Sequence, residues 1–309
     1  MGRDSTSTKE TISDALEVLE AHPDYRIIRR IVPRERYAES EAGMLLKAAI
    51  VDTETTGTNH DQDKIIELGM VLFEYDPETG QAYRVLKTFN ELEDPGFPIP
   101  PEATAVNGIT DAMLAGKRID DVAVEAFLEG VSLVIAHNSA FDRVFLEKRL
   151  PMFERLHWGC SLSQVSWREE GIGSAKLDYI AFQNGLFYEA HRAEADCVAL
   201  LEVLQQPLPK SGELALKAIL KQSSEKSYRV FAIRSPFESK DLLKGRGYRW
   251  DAERKCWHHT VTGAEAIKSE VAWLKDNVYD GRSVELEFEV LDGLTRFSSR
   301  PGKKVMKQI

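Results

Sequence analysis

Apolar positions in this chain follow two periods. The runs Leu45 to Asp52, Ile65 to Glu74 and Gln81 to Phe89 are short, largely apolar and separated by turn chemistry such as Asp76-Pro77-Glu78-Thr79-Gly80. Runs of that length and composition predict strands. Helical spacing then takes over at Asp121 to Leu128, Ser139 to Leu150, Leu177 to Asn184 and Ala193 to Leu204, with one apolar strand, Ser132 to Ala136, between the first two. Three strands in succession followed by strand and helix alternation predict an α/β fold with a mixed sheet.

The two ends carry weaker patterns. Residues 1 to 10 are polar and predicted disordered, and Ser13 is placed to cap a short helix, Asp14 to Glu20, that His22-Pro23 ends. The segment Tyr25 to Arg36 reads as a solvated helix face packed on the main domain, with phosphate contact as the alternative. Gly212 to Lys221 is expected to be a linker helix. Beyond it, Tyr228 to Ile233 and Trp257 to Val261 predict strands, and Ser239 to Lys244 a short helix stopped at Gly245. Thr262 and Glu265 suggest a capping box for a helix with Ile267, Val271 and Leu274 on one stripe. Val284 to Val290, Asp292-Gly293 and Leu294 to Ser298 suggest a terminal hairpin. The expected division is a helical extension over 1–44, a main domain over 45–207, a linker over 208–226 and a small basic α/β domain with a tail over 227–309.

The composition of the 309 residues, 43% hydrophobic and 9% aromatic, is that of a globular protein. No apolar run approaches the length of a membrane helix, and the polar start MGRDSTSTKE has no signal-peptide core, so a cytoplasmic protein is expected. Cys160, Cys197 and Cys256 are widely spaced and odd in number, which fits reduced thiols. The net charge of −10 is unevenly spread. Residues 45–225 carry 16 basic and 29 acidic side chains, residues 226–260 carry nine and four, and the last twelve residues four and none. An acidic body with a basic appendage would suit a metal-loaded catalytic domain beside a phosphate-gripping module. Two ordinary domains with different surfaces would show the same division.

Candidate chemistry begins in the first strand, Ile50-Val51-Asp52-Thr53-Glu54-Thr55-Thr56-Gly57. Side chains alternate along a strand, so Asp52 and Glu54 share a face and Thr53 takes the other. Two like charges at the end of an apolar strand are costly to desolvate unless a divalent cation or bound water offsets them. Two other readings stand beside a metal site: acids that cap a turn where the sheet meets solvent, and the D-x-D-x-T pattern of haloacid-dehalogenase-like phosphatases, from which Glu54 departs. Two further acids lie on apolar helical stripes. Asp142 shares its stripe with Phe145 and Leu146 in a helix that Asn138 is placed to cap, and Asp196 shares its stripe with Ala199, Leu200 and Val203, five residues after His191.

Asp52-x-Glu54, then His137-Asn138-x-x-Phe141-Asp142, then His191-x-x-x-x-Asp196 resembles the three motifs of the DEDD exonuclease superfamily in its His variant, which includes proofreading subunits of bacterial replicative polymerases. The resemblance spans roughly residues 45 to 205 and displaces the phosphatase alternative, which has no use for His191 at that spacing. It implies a ribonuclease-H-like mixed sheet flanked by helices. It also implies that Asp52, Glu54, Asp142 and Asp196 bind two Mg²⁺ or Mn²⁺ ions, with His191 as general base. Hard carboxylate oxygens suit such ions, and imidazole accepts a proton near neutral pH. Thr55, Thr56 and Phe141 would lie near the terminal nucleotide, a plain core role being the alternative for Phe141. Asn107 in Asn107-Gly108-Ile109-Thr110 stands where the family has His in a substrate-contacting segment.

The implied activity is 3′ to 5′ hydrolysis of single-stranded or frayed DNA ends to nucleoside 5′-monophosphates. An exoribonuclease is the alternative within the enzyme class, and a nucleic-acid-binding or polymerase-tethered accessory protein the alternative outside it. Gln205-Gln206-Pro207-Leu208 faintly resembles a sliding-clamp-binding peptide, but Lys210 stands where its hydrophobic end belongs. In the appendage, aromatics interleaved with cations suggest a stacking platform, with Arg246, Tyr248 and Arg249 as candidate contacts. Trp257 and Trp273 are assigned to the core of a small domain.

Overall fold

The computed structural model describes residues 5–39 and 43–309. Its centre is a five-stranded mixed sheet. The strands are β1 (Leu46–Thr55), β2 (Ile65–Tyr75), β3 (Ala82–Leu92), β4 (Val131–Ala136) and β5 (Trp158–Cys160), in the order β3-β2-β1-β4-β5. β1, β2 and β3 are antiparallel neighbours, whereas β4 and β5 run parallel to β1. The mixed α/β class predicted from the patterning is therefore the observed one.

Alternation along β1 divides the core. Ala48 and Ile50 face one side, where they meet Cys197, Leu200 and Val203 of α3 (Ala193–Leu204), together with residues of α2 (Leu177–Gln183). Ala49 and Val51 face the other, against Phe145 and Leu146 of α1 (Ser139–Arg149). Helices on both faces leave β2 buried along almost its whole length, which explains a run of apolar residues too continuous for a one-sided strand.

A second five-stranded sheet is antiparallel throughout. It contains β6 (Ser227–Ala232), β7 (Arg249–Asp251), β8 (Cys256–Thr262), β9 (Glu285–Leu291) and β10 (Lys303–Gln308) in the order β10-β9-β6-β8-β7. The helix Ala264–Asn277 covers one face, with Leu274 against Val230, Leu286 and Phe288.

Several local expectations are corrected. The N-terminal helix spans Ser5–Ala21, so Ser13 lies inside it and caps nothing; of the predicted disordered stretch, residues 1–4 lie outside the described residues. The predicted helix face over 25–36 is mostly extended chain, with Arg29–Arg30 pairing Leu186–Phe187 in parallel. The helix at Ala215–Ser224 is no free linker, because Leu216 and Ile219 are fully buried in the core under β1. The capping box is not formed either: Gly263 takes the N-cap position at φ 92° without a side-chain bond.

The terminal hairpin fails for a more informative reason. β9 pairs with β10, and residues 292–302 leave the second sheet to dock on the first. The Trp158 N–H donates to the Gly293 carbonyl at 2.9 Å, and the fully buried Arg143 donates to the carbonyls of Gly293, Leu294 and Arg296 while pairing with Glu147. Arg300 and Ser298 complete the joint on Glu147. An isolated buried guanidinium is expensive, so this loop supplies the acceptors that Arg143 needs.

Candidate active site

Asp52 and Glu54 project from the C-terminal end of β1 on the face covered by α3, as alternation requires. Asp196, in the first turn of α3, meets them there, and one carboxylate oxygen from each of the three lies within 4.8 Å of the others. The approach depends on Gly69, which faces Asp52 across the β1–β2 ladder. A Cβ on Gly69 would stand 2.3 Å from the Ala193 carbonyl carbon and 2.4 Å from the Glu194 nitrogen. Only a bare backbone lets α3 come down onto the sheet at this point. A register shift between Glu54 and Thr55 adds a local irregularity beside the acids.

Asp142 arrives from the opposite face. It extends from α1 to the backside of β1, where its Oδ1 accepts from the Thr53 N–H at 3.0 Å and the Thr53 hydroxyl at 2.9 Å. The inward acid inferred from the helical stripe is therefore buried and anchored. Asn138 stands at the N-cap position as expected, but at a left-handed φ of 80° its side chain makes no capping bond. His137 is also structural, since its two ring nitrogens engage the Ser161 hydroxyl and the Ala175 carbonyl.

Burial raises all four carboxylates, and repulsion from neighbouring acids adds to it at Asp52, Glu54 and Asp142. Burial, then the charges of Asp142, Asp196 and Glu54, push Asp52 well above the usual carboxylate range. Burial and the Asp196 charge hold Glu54 up to about 7, and burial brings Asp142 to about 7 despite the bonds from Thr53. Asp196 is raised by burial, opposed by the Tyr188 hydroxyl and by the N–H groups of Arg192 and His191 that donate to it. Asp52 accepts no hydrogen bond from the described residues, and no Lys or Arg pairs with any of the four among them. A set of hard oxygens that crowd one another without a compensating cation suits divalent metal ions.

Residues beyond the three motifs hold this arrangement. Glu67, fully buried and facing Glu54 across the ladder, pairs with Arg192 at 2.7 Å and also accepts from the Ala193 N–H. It thereby ties the start of α3 to β2. Tyr188 donates to Asp196 Oδ1 at 2.9 Å. An acid near the start of the apolar run 65–75 and the one Gly inside it were the available signals for Glu67 and Gly69. Tyr188 gave none, because its partner lies eight residues away through a loop.

The remaining predicted positions fare differently. His191 is exposed on a left-handed backbone of φ 69°, two residues before α3, with its N–H on Asp196 Oδ2 at 2.8 Å. Asn107 donates to Glu54 Oε2 at 3.4 Å and accepts from the Ile109 N–H, so it adjoins the acids. Phe141 is half-buried and contacts the rings of His60 and Phe145. Thr55 donates to the Gly57 carbonyl. Thr56 is corrected: it is buried, and its hydroxyl donates to Asp63 and accepts from the Lys64 N–H, which makes it a loop brace.

Tyr248 is corrected too, being buried with its hydroxyl on Glu270. Arg246 is paired with that same Glu270 and lies over the Trp273 ring. Arg249 alone of the three contacts predicted in the appendage is both exposed and outside any ion pair among the described residues.

The profile of the Exonuclease family (RNase_T) matches residues 49–204, just over half of the chain and all four acids. The chain belongs to this exonuclease family. Its members use divalent metals, consistent with the acidic cluster. The chain is 33% identical over 162 residues to the DNA polymerase III subunit epsilon of Treponema pallidum, covering 49% of this chain and 72% of that protein. It is 34% identical over 184 residues to a DNA polymerase III subunit epsilon-like protein of Rhodobacter capsulatus, covering 56% of this chain but only 24% of that one. The PolC-type DNA polymerase III of Clostridium perfringens is 31% identical over 170 residues, 53% of this chain and 11% of its own.

Among solved structures, exonuclease X in complex with 5′ overhanging duplex DNA covers 56% of this chain and 97% of its own at 26% identity and a TM-score of 0.41. The zinc-bound complex of E. coli exonuclease I with single-stranded DNA covers 75% and 71% at 14% identity and a TM-score of 0.48. The family match ends at residue 204, so the second sheet lies outside it.

Proposed function

We propose that this exonuclease acts in the 3′ to 5′ direction on single-stranded or frayed DNA ends and releases nucleoside 5′-monophosphates. The observation that carries the proposal is the crowding of Asp52, Glu54 and Asp196 within 4.8 Å, with Asp142 raising Asp52 from the other side of β1. Asp52, Glu54, Asp142 and Asp196 are the residues that would hold two Mg²⁺ or Mn²⁺ ions. When bound, such ions supply water activation and charge neutralisation at the scissile phosphate.

The protein's own residues do the rest. Thr53 and Tyr188 orient two of the carboxylates through hydrogen bonds, as groups behind metal ligands commonly do. His191, at the exposed mouth of the site, takes the proton of the attacking water, and the αL backbone beside Asp196 sets where its ring can reach. Asn107 contacts the terminal nucleotide from its place beside Glu54. The relation to polymerase subunits supports a polymerase as a partner and DNA as the polymer. RNA cleavage is the second possibility that the assay below separates.

A 5′-labelled single-stranded DNA and its RNA counterpart should be incubated with the protein and Mg²⁺, Mn²⁺ or EDTA. The expected result is a ladder shortening from the 3′ end of the DNA, lost with EDTA and in Asp52→Ala. Activity retained in Asp52→Ala would remove the metal-site assignment, and preference for the RNA strand would replace DNA as the substrate.

A further inference from the structure

The second sheet carries a pocket that the catalytic reading leaves unexplained. It measures about 300 Å³ and is lined by Arg234, Phe237, Lys240, Trp250, Lys255 and Trp257, with no carboxylate in its wall. Phe237 is 76% exposed and Trp250 52% exposed, unusual for large aromatic side chains on a small unit. Trp250 meets the edge of Trp257 at 5.5 Å between ring centroids, and Lys240 Nζ lies 4.8 Å from the centre of the Phe237 ring.

Three cations stand with the rings. Elsewhere in the second sheet Arg229 pairs with Glu289, Arg246 with Glu270 and Arg254 with Glu287. Arg234, Lys240 and Lys255 are exposed, and among the described residues none has a carboxylate within ion-pairing distance. Arg234 and Lys255 also hold left-handed backbones, at φ 56° and 50°, on the two turns that flank the pocket. Such conformations are costly for residues with a Cβ. In a protein of net charge −10, an acid-free pocket ringed by three unpaired cations selects against most of the molecule's own surface and for an anion.

Flat exposed rings beside unpaired cations match the chemistry of an unpaired nucleobase with its flanking phosphates. We infer that this pocket binds a base of single-stranded nucleic acid, stacked on Trp250 and Phe237, with Arg234, Lys240 and Lys255 meeting the adjoining phosphates. The ligand follows from the exonuclease reading; the site does not, because it lies outside the family match. Duplex DNA, whose bases are already stacked and paired, offers the pocket no free face.

The test uses full-length Asp52→Ala protein, so that binding is separated from cleavage. Oligothymidylate of about a dozen residues, a length within the site sizes of single-strand binders, is titrated against tryptophan fluorescence, alongside a duplex of equal length. The expected result is quenching by the single strand, preference over the duplex, and affinity that falls with salt.

Adding Trp250→Ala should weaken binding by about ten-fold, the order produced by removing one stacking ring, and Trp250→Phe should restore most of it. Phe237→Ala, at a position more exposed still, should weaken binding without unfolding. Unchanged affinity in both alanine variants, or equal affinity for the duplex, would overturn the inference. Failure of the exonuclease reading would look different: intact binding with no shortening ladder from the protein that retains Asp52.

Discussion

In the first sheet, like charges are drawn inward. Four carboxylates converge from both faces of β1, three with oxygens inside 4.8 Å; burial raises all four, and neighbouring carboxylates add to the rise at Asp52, Glu54 and Asp142. In the second sheet, like charges are kept outward: Arg234, Lys240 and Lys255 ring a pocket at the surface, exposed and unpaired among the described residues. The difference follows from what each would bind. Small hard cations compensate crowded carboxylates at short range, so the acids must be held close together before they arrive. A polymer's phosphates are met at the surface, where the cations lose little hydration while they wait.

Removing the proposed general base is expected to have the largest effect of the variants that separate the two regions. His191→Ala should lower the single-turnover rate by about a hundred-fold, in the range of general base catalysis, and leave oligonucleotide affinity unchanged. Rapid-quench kinetics beside fluorescence titration would measure both, and a loss of affinity instead of rate would merge the two regions into one binding surface. Gly69→Ala tests how the acids are brought together. It forces α3 off β2 and should destabilise the protein by about 1 to 3 kcal/mol, as overpacking does, while cleavage falls with it. A stable and fully active Gly69→Ala would show that Asp196 reaches its place by another route.

The smallest effect concerns charge crowding itself. Glu54 and Asp142 stand at about 7 in the fold, above the carboxylate values of an unfolded chain near 4. Between those values the folded protein binds more protons than the unfolded one, so metal-free stability should fall as pH rises from about 4 to 7. Asp52→Asn removes one of the repelling groups and should raise metal-free stability at pH 7.5 while abolishing cleavage. Thermal melts in EDTA would check the sign. A destabilised Asp52→Asn would mean that the Asp52 carboxylate is compensated by the protein alone.

The acids were legible in the sequence because each lay on a periodic apolar face. Asp52 and Glu54 followed the period of a strand, Asp142 and Asp196 that of a helix, and the structure buries or half-buries all four. The α/β class and the span of α3 were legible for the same reason. Less regular signals misled. Tyr248 stood in a basic, glycine-punctuated stretch that resembled a surface platform, yet its ring is in the core, and the exposed rings belong to Trp250 and to Phe237, which the patterning did not single out. Thr56 resembled a substrate contact by its position beside the motif, but its hydroxyl closes the loop onto Asp63.

Sequence by itself determined which faces carry charge, since side-chain direction in a strand or helix is set locally by backbone geometry. Tertiary structure alone decided which faces meet. That Asp142 reaches β1 from behind, through Thr53, depends on helices packing on both sides of one strand. The partner of Arg143 is a loop about 150 residues away, at Gly293 to Arg296. Glu67 and Arg192 find one another across 125 residues because Gly69 lets two backbones touch. Local propensity acts over a few residues of chain, whereas pairing a buried charge is a condition on space, and only the folded chain satisfies it.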